Sequence, residues 1–565
     1  MLGSRLRGAL FALVLLVGFP LPCGIAVADA AGFPTPAWTT YHRLPDRTGV
    51  DPDSSHPVTP RAAWHSTPLD GAIYAEPLVL GPRVFVATEN NSIYALSART
   101  GQIIWHQNAG TPVPGSSLPC GNIDPVGITG TPVLDPYTNA IYAVADVLAG
   151  GQIRHMLVAY DLATGGALFK AVTVDVGGGT NPEFVPANQL QRAGLARVGH
   201  EIVIGFGGND GDCAHYHGWL VGVKDTGTGP LASYQVGPNS DDGGAIWGGG
   251  GGPVVDSSQA IFATTGNGFS TTTYDHGDSI IKLDSGLHEL DHYAPSTWAS
   301  DNGADLDLGS DNATLLPGGL LFQSGKNGTG YLVRTATGQM GGTGSAGKPD
   351  PSAFNAPICS PGSWGGAAYA RGRIFVPCGF PGGGGGSVVA LSYDQAQPSF
   401  SFLWSGPPGA SSPPIVSAGK VWLVSLASNT LYGLNPANGV VGFQASLSGP
   451  EHFTTPSAGG GRLFVADGDV VRAWVIGQLP QPVVSITSPA DGAQETTSPI
   501  PVSGTVSDTV SIASVTVNGA PAAITNHTWT ATVGLTPGQN TITAKATDGA
   551  GVVGTASITV TYTPG

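Results

Sequence analysis

The chain has 565 residues, Gly 86 and Pro 46 among them, with 41% hydrophobic and only 11% charged residues. That apolar content excludes global disorder, and a net charge of −16 with no basic run excludes a phosphate backbone as partner. Many turn formers and few charges describe a turn-rich, all-β protein.

In chain order, residues 1–30 come first. Arg5 and Arg7 precede an apolar run from Ala9 to Val17, and Ala28-Asp29-Ala30 offers a small-x-small cleavage site before Ala31. This is the pattern of a signal peptide, and it predicts a secreted, extracellular protein. Pro22 stands before Cys23, where a lipoprotein signal needs a small residue, so no lipid anchor is expected. No later stretch reaches the roughly 18 uninterrupted apolar residues of a membrane span. Cleavage leaves Cys120, Cys213, Cys359 and Cys378, an even set in a compartment that permits disulfides.

From residue 91 a hairpin pattern recurs. "SIYALSARTGQIIWHQN", "LVAYDLATGGALFK", "LVGVKDTGTGPLASY", "YLVRTATGQMGG" and "LYGLNPANGVVGF" each pair an apolar strand with a turn closed by glycine. Gly101, Gly165 and Gly229 are 64 apart, and Gly338 and Gly439 continue the series. Such turns need a positive φ, which glycine adopts cheaply. Another strand pair precedes each hairpin, for example "AEPLVLGPRVFVAT" and "GAAYARGRIFVPCG". The count is eight units of four strands, which predicts an eight-bladed β-propeller over 31–478. The eighth unit, ending near Gly477, lacks an outermost strand. "RAAWHST" at 61–67 could supply it and latch the ring.

After "GQLPQP" the pattern changes to Thr/Val/Ser-rich alternation with turns about every ten residues. This predicts a second domain, an Ig-like β-sandwich over 481–565. "SITSPADG", "VSGTVSD" and "ATDGAG" followed by "ASITVTY" resemble the bacterial Ig-like modules, of the glucodextranase B type, that are appended to secreted proteins and glycoside hydrolases. The resemblance implies attachment to polysaccharide, cell envelope or another protein.

In a propeller the connections between blades, and between the second and third strands of a blade, share one face, and function concentrates there. All four mature cysteines fall in such connections. Cys120–Cys213 and Cys359–Cys378 are the expected pairs, out of three possible connectivities.

The hairpins resemble PQQ-type repeats. The run from "AIWGGGGGPVVDSSQAIFATTGNG" through "LLFQSGKNGTGYLVRTATG" to "SWGGAAYARGRIFV" resembles quinoprotein alcohol dehydrogenases, and the resemblance covers most of 38–476. It implies PQQ and Ca²⁺ as cofactors. Trp247 then matches the floor on which the quinone stacks, and Lys326 the basic residue that hydrogen-bonds the quinone oxygens. Asn267 matches a calcium ligand. Each has a plainer alternative: an inter-blade Trp, a solvated loop Lys and a Gly-Asn-Gly turn.

Departures from that pattern matter as much. The aspartate that acts as general base falls, counted from Trp298, on Ser296, which holds no accepting charge at neutral pH. Asp301 is the nearby substitute. The glutamate calcium ligand falls near Cys213 or Ala214, and neither offers a hard oxygen. Neither an adjacent-cysteine disulfide nor a C-x-x-C-H haem site is present.

The sequence therefore favours a secreted binding or scaffold propeller with a degenerate cofactor site. A PQQ-dependent alcohol or sugar dehydrogenase with a rearranged site is the alternative. His215 and His217 alternate on an extended segment and so face one way, as two imidazole ligands for a transition metal would. Asp212, Asp275, His276 and Asp278 in related loops are the residues that could complete such a site. "DLDLGSDN" at 305–312 lacks the terminal bidentate Glu of a calcium loop and reads as a turn.

Overall fold

Apolar β-formers alternating with positive-φ glycines leave the chain few options but antiparallel meanders. The computed structural model describes residues 37–52, 57–229, 231–237, 243–380, 385–479, 481–508, 512–548 and 552–565. The leader expected at 1–30, with Cys23, lies outside them.

Among the described residues the chain forms ten sheets, eight before Gly477 and two after. Each of the first eight is a meander built on four antiparallel strands. The sixth, for example, runs Ala368–Ala370, Arg373–Cys378, Ser387–Asp394 and Ser399–Ser405. In the eighth sheet the outer strand is not the last in sequence. Pro57–His65 pairs antiparallel with Val470–Gly477, so the N-terminal end of the chain supplies the strand that the eighth unit lacks.

The turn glycines have a second role that periodicity does not reveal. Gly101, Gly165 and Gly439 have φ of 73°, 73° and 71°, and a Cβ on them would lie 2.5, 2.8 and 2.5 Å from the rings of Trp64, Trp105 and Trp404. Each Trp belongs to the outer strand of one sheet and docks on the turn of the next. The indole N–H groups complete the joint, donating to Ala98 O, Leu162 O and Pro436 O at 3.1, 3.2 and 3.2 Å. Trp64 sits on the latching strand, so the contact that closes the eighth sheet also fastens it to the first.

A strap of fifteen residues, 37–51, orders the opposite, inner edges. It pairs Trp38 with Val79 and then exchanges backbone or side-chain bonds with Leu134, Leu195, Val255, Leu315, Tyr369 and Val416 in succession. These residues lie at the innermost strands of the first seven sheets. Fifteen extended residues span about 50 Å, so they reach seven strands only where those strands converge on a common axis. The β-propeller follows from that convergence. Trp38, Tyr41, His42 and Arg47 of the strap are buried, and Arg47 is fully so.

Beyond Pro482 the two remaining sheets share one apolar core around Trp529, with Val502, Val515, Ile542 and Val560. The Trp529 indole N–H is satisfied by Thr505 O at 3.2 Å.

Candidate functional site

The inner ends of the third to sixth sheets meet around the glycine run after Trp247. Gly249 packs so closely on Gly365 and the Ser310 carbonyl that a Cβ would lie 2.6 and 2.5 Å away. This crowding fixes the backbone beside Trp247. The indole N–H donates to Gly208 O at 2.9 Å, and the ring lies 6.4 Å from that of Tyr216. Gly266, in the loop that carries Asn267, packs against the ring edge. Trp247 itself is only half-buried.

Asn267 follows immediately, and its amide donates to Asp307 Oδ1 at 2.7 Å. The other Asp307 oxygen meets Lys326 Nζ at 2.5 Å, and Asp305 meets the same ammonium at 2.9 Å. The Lys326 amide donates to the Asp307 carbonyl at 3.0 Å, which fixes the two loops to each other. Asp307 is therefore the carboxylate that joins Asn267 to Lys326. It is 1% exposed. Burial raises its pKa against the opposing pull of the Lys326 ammonium. For Lys326, burial acts to lower the pKa, but the Asp307 and Asp305 carboxylates outweigh it and the net shift is upward. Asn267 Oδ1 is buried with no hydrogen-bond partner.

Asp212 belongs to the same electrostatic neighbourhood. Its carboxylate accepts the Tyr216 hydroxyl at 2.7 Å. Desolvation by the surrounding loops raises its pKa, and Asp307 and Asp305 push the same way while Lys326 opposes. The hard oxygen absent at Cys213 and Ala214 is thus present one residue earlier.

Both disulfides brace this rim. Cys120–Cys213 ties the Asp212 loop to the connection before the second sheet. Cys359–Cys378 holds a segment whose residues 358 and 359 donate to Gly328 O, two residues past Lys326, at 2.8 and 3.0 Å.

The sequence expectations divide here. Trp247, Asn267 and Lys326 come together, whereas Ser296 does not join them. It sits before the helix Trp298–Ala304, where its amide donates to Asp350 at 2.8 Å. Asp301 is buried inside that helix, and its carboxylate accepts from Thr297 Oγ1 at 2.6 Å and Asn327 Nδ2 at 2.9 Å. Burial raises its pKa too. Counting from Trp298 missed Asp307 because the count runs back to Ser296, whereas Asp307 follows that Trp, beyond the helix Trp298–Ala304. The signal that could have found it was the Asp305-Leu306-Asp307 start of "DLDLGSDN", which precedes a short turn, Leu308–Ser310, that places Asp307 inward.

Residues 58–185 match the PQQ-repeat family model described as outer membrane protein assembly factor BamB. That part of the propeller carries repeats of the PQQ type. Residues 482–563 match the model described as glucodextranase, domain B, which identifies the Ig-like module. No curated protein matches this sequence.

Among solved structures, this chain is similar to a quinohemoprotein alcohol dehydrogenase from Pseudomonas putida HK5, with 16% identity and a TM-score of 0.58 over 81% of this chain and 82% of that one. It is also similar to the quinohemoprotein alcohol dehydrogenase of Comamonas testosteroni, at 15% identity and a TM-score of 0.57 over 80% and 82% of the two chains. A europium-containing methanol dehydrogenase gives 15% and 0.56 over 78% and 98%. At these identities the likeness establishes the fold alone.

Proposed function

We propose that the chain is an exported, eight-bladed PQQ-repeat propeller (31–478) with an Ig-like β-sandwich (481–565). In this reading it holds a pyrroloquinoline-type quinone and a hard divalent cation at one rim and oxidises an alcohol or sugar. The observation that carries the reading is Asp307, joined to both Asn267 and Lys326 beside the half-buried Trp247. It returns to the site the carboxylate that Ser296 could not supply.

The residues fit such a cofactor. The Trp247 ring offers a flat surface for stacking. The buried, unpartnered Asn267 Oδ1 is an oxygen ligand in waiting, and with Asp212 and Asp307 it gives the donor set that Ca²⁺ prefers. When bound, the quinone supplies the two-electron acceptor. Lys326 would donate to its oxygens and stabilise charge there. Asp307 would receive the substrate hydroxyl proton, and its burial, which raises its pKa, favours that task.

A second reading, a binding or scaffold propeller without cofactor, has its own support. Two carboxylates already neutralise Lys326, and residues 58–185 match a model named for an assembly factor. In either case the Ig-like module would attach the protein to polysaccharide, envelope or another protein. Purified protein incubated with PQQ and Ca²⁺, or PQQ and a lanthanide, should reduce an artificial electron acceptor with alcohols or sugars. Loss of that turnover in Asp307→Asn with quinone binding retained supports the dehydrogenase. Absence of turnover in the wild type with every cation leaves the scaffold reading in its place.

A further inference from the structure

Beside this rim, Glu183, His215 and His217 face one another. His215 Nε2 and His217 Nε2 lie 3.1 and 3.3 Å from the same oxygen, Glu183 Oε2. The two rings are 5.5 Å apart at 85°. One ligand atom from each of the three residues lies within 4.8 Å of the others.

The His217 environment makes this more than a surface ion pair. Its side chain is 3% exposed, and its Nδ1 lies 3.2 Å from the Val236 carbonyl. A carbonyl only accepts, so Nδ1 carries the hydrogen and the Nε2 lone pair is directed at Glu183. A lone pair facing a carboxylate oxygen is repulsive unless a positive charge stands between them, either a proton or a metal ion. The backbone bond is also the outer-shell contact that orients metal-binding histidines. Glu183 is held from its own side, its amide donating to Asn181 Oδ1 at 3.1 Å, while Asn188 Nδ2 donates to the His215 carbonyl at 2.8 Å.

We propose that Glu183, His215 and His217 bind a divalent transition metal of the Zn²⁺ class. Two imidazoles and one carboxylate suit borderline metals, and a tetrahedral ion held by three side chains keeps one position for water. The metal joins segment 181–188 to loop 209–217, the loop that the Cys120–Cys213 disulfide holds and that carries Asp212 and Tyr216. It thereby positions one wall of the candidate site, whether or not that site takes a quinone.

The test uses the full chain without a polyhistidine tag, stripped of metal by a chelator and titrated with Zn²⁺ by calorimetry and with Co²⁺ by visible absorption. A second cluster, His276, Glu289 and His292, also has the ligand atoms of a metal site, so the titrations are run in a background with His276→Ala and His292→Ala. Zn²⁺ should still bind in one equivalent, and Co²⁺ should give the intense bands of a tetrahedral site. Glu183 and His215 are 44% and 50% exposed in their side chains, so Glu183→Gln and His215→Ala leave the fold intact. Each should weaken Zn²⁺ about tenfold or more and remove the Co²⁺ bands. Failure to bind at micromolar Zn²⁺, or binding unchanged in both variants, overturns the proposal and assigns the positive charge to a proton. PQQ binding is read separately, so the two proposals fail independently.

Discussion

Replacing Arg47 with Met would remove the strap's main anchor. The guanidinium donates to Thr40 Oγ1 at 2.6 Å, Tyr41 O at 2.9 Å, Leu195 O at 3.1 Å and Pro253 O at 2.9 and 3.2 Å. Arg47 is wholly buried; burial lowers its pKa to about 10, which still leaves it charged at neutral pH. After the substitution Leu195 O keeps the Thr40 hydroxyl at 3.0 Å, but the buried Tyr41 O and Pro253 O lose the guanidinium. Each orphaned acceptor costs about 1–3 kcal/mol, and the Met side chain recovers about 1 kcal/mol of apolar burial. The expected loss is about 3 kcal/mol. Urea unfolding followed by tryptophan fluorescence measures it, and Arg47→Lys, which keeps the charge but not the fork of donors, should fall between. A loss under about 1 kcal/mol for Arg47→Met would refute the argument that one guanidinium ties the strap to the third and fourth sheets.

Two further outcomes follow from the same structure. Reducing both disulfides should destabilise the propeller, with Cys120–Cys213, separated by 93 residues, costing more than Cys359–Cys378, separated by 19; loop entropy puts the values near 4–5 and 3 kcal/mol. Single Cys→Ala pairs compared by thermal unfolding check the order. For pH, burial raises the carboxyl of Glu89 to about 8 and that of Asp311 to about 7. Folded, these groups hold protons that the unfolded chain releases, so stability should fall as pH climbs from about 6.5 to about 8.5. The gain at lower pH is offset below about 6.5, because burial holds His452 down at about 4 and the unfolded chain takes up the proton first. A Tm that is flat or rising from about pH 6.5 to about pH 8.5 would contradict the buried-carboxyl account.

Much of the fold was legible because it is repetitive. The hairpin glycines, their spacing and the displaced outer strand, expected at 61–67 and found at 57–65, show in the sequence, since each strand alternates and each turn needs a positive φ. The partner of those glycines was not legible, because Trp64, Trp105 and Trp404 dock across neighbouring sheets, far from the turns in sequence. The strap at 37–51 was missed for a related reason. It gives about one contact to each sheet in turn and so has no period of two or 3.6 to detect. Trp247, Asn267 and Lys326, which the family resemblance singled out, lie together in the structure. Asp307 was missed because the count from Trp298 runs toward the N-terminus, away from it, and Asp212, named only as a possible transition-metal ligand, lies on left-handed backbone with φ 45° one residue before the position counted for the calcium ligand.

The central claim is that Trp247, Asn267, Asp307 and Lys326 form a quinone-binding constellation. Titration of the intact protein with PQQ in Ca²⁺, followed by quenching of tryptophan fluorescence, tests it most directly. Saturable binding of one quinone per chain is expected, weakened by Trp247→Ala and by Lys326→Ala. No saturable quenching at micromolar quinone with either Ca²⁺ or a lanthanide, or quenching indifferent to both substitutions, would contradict it.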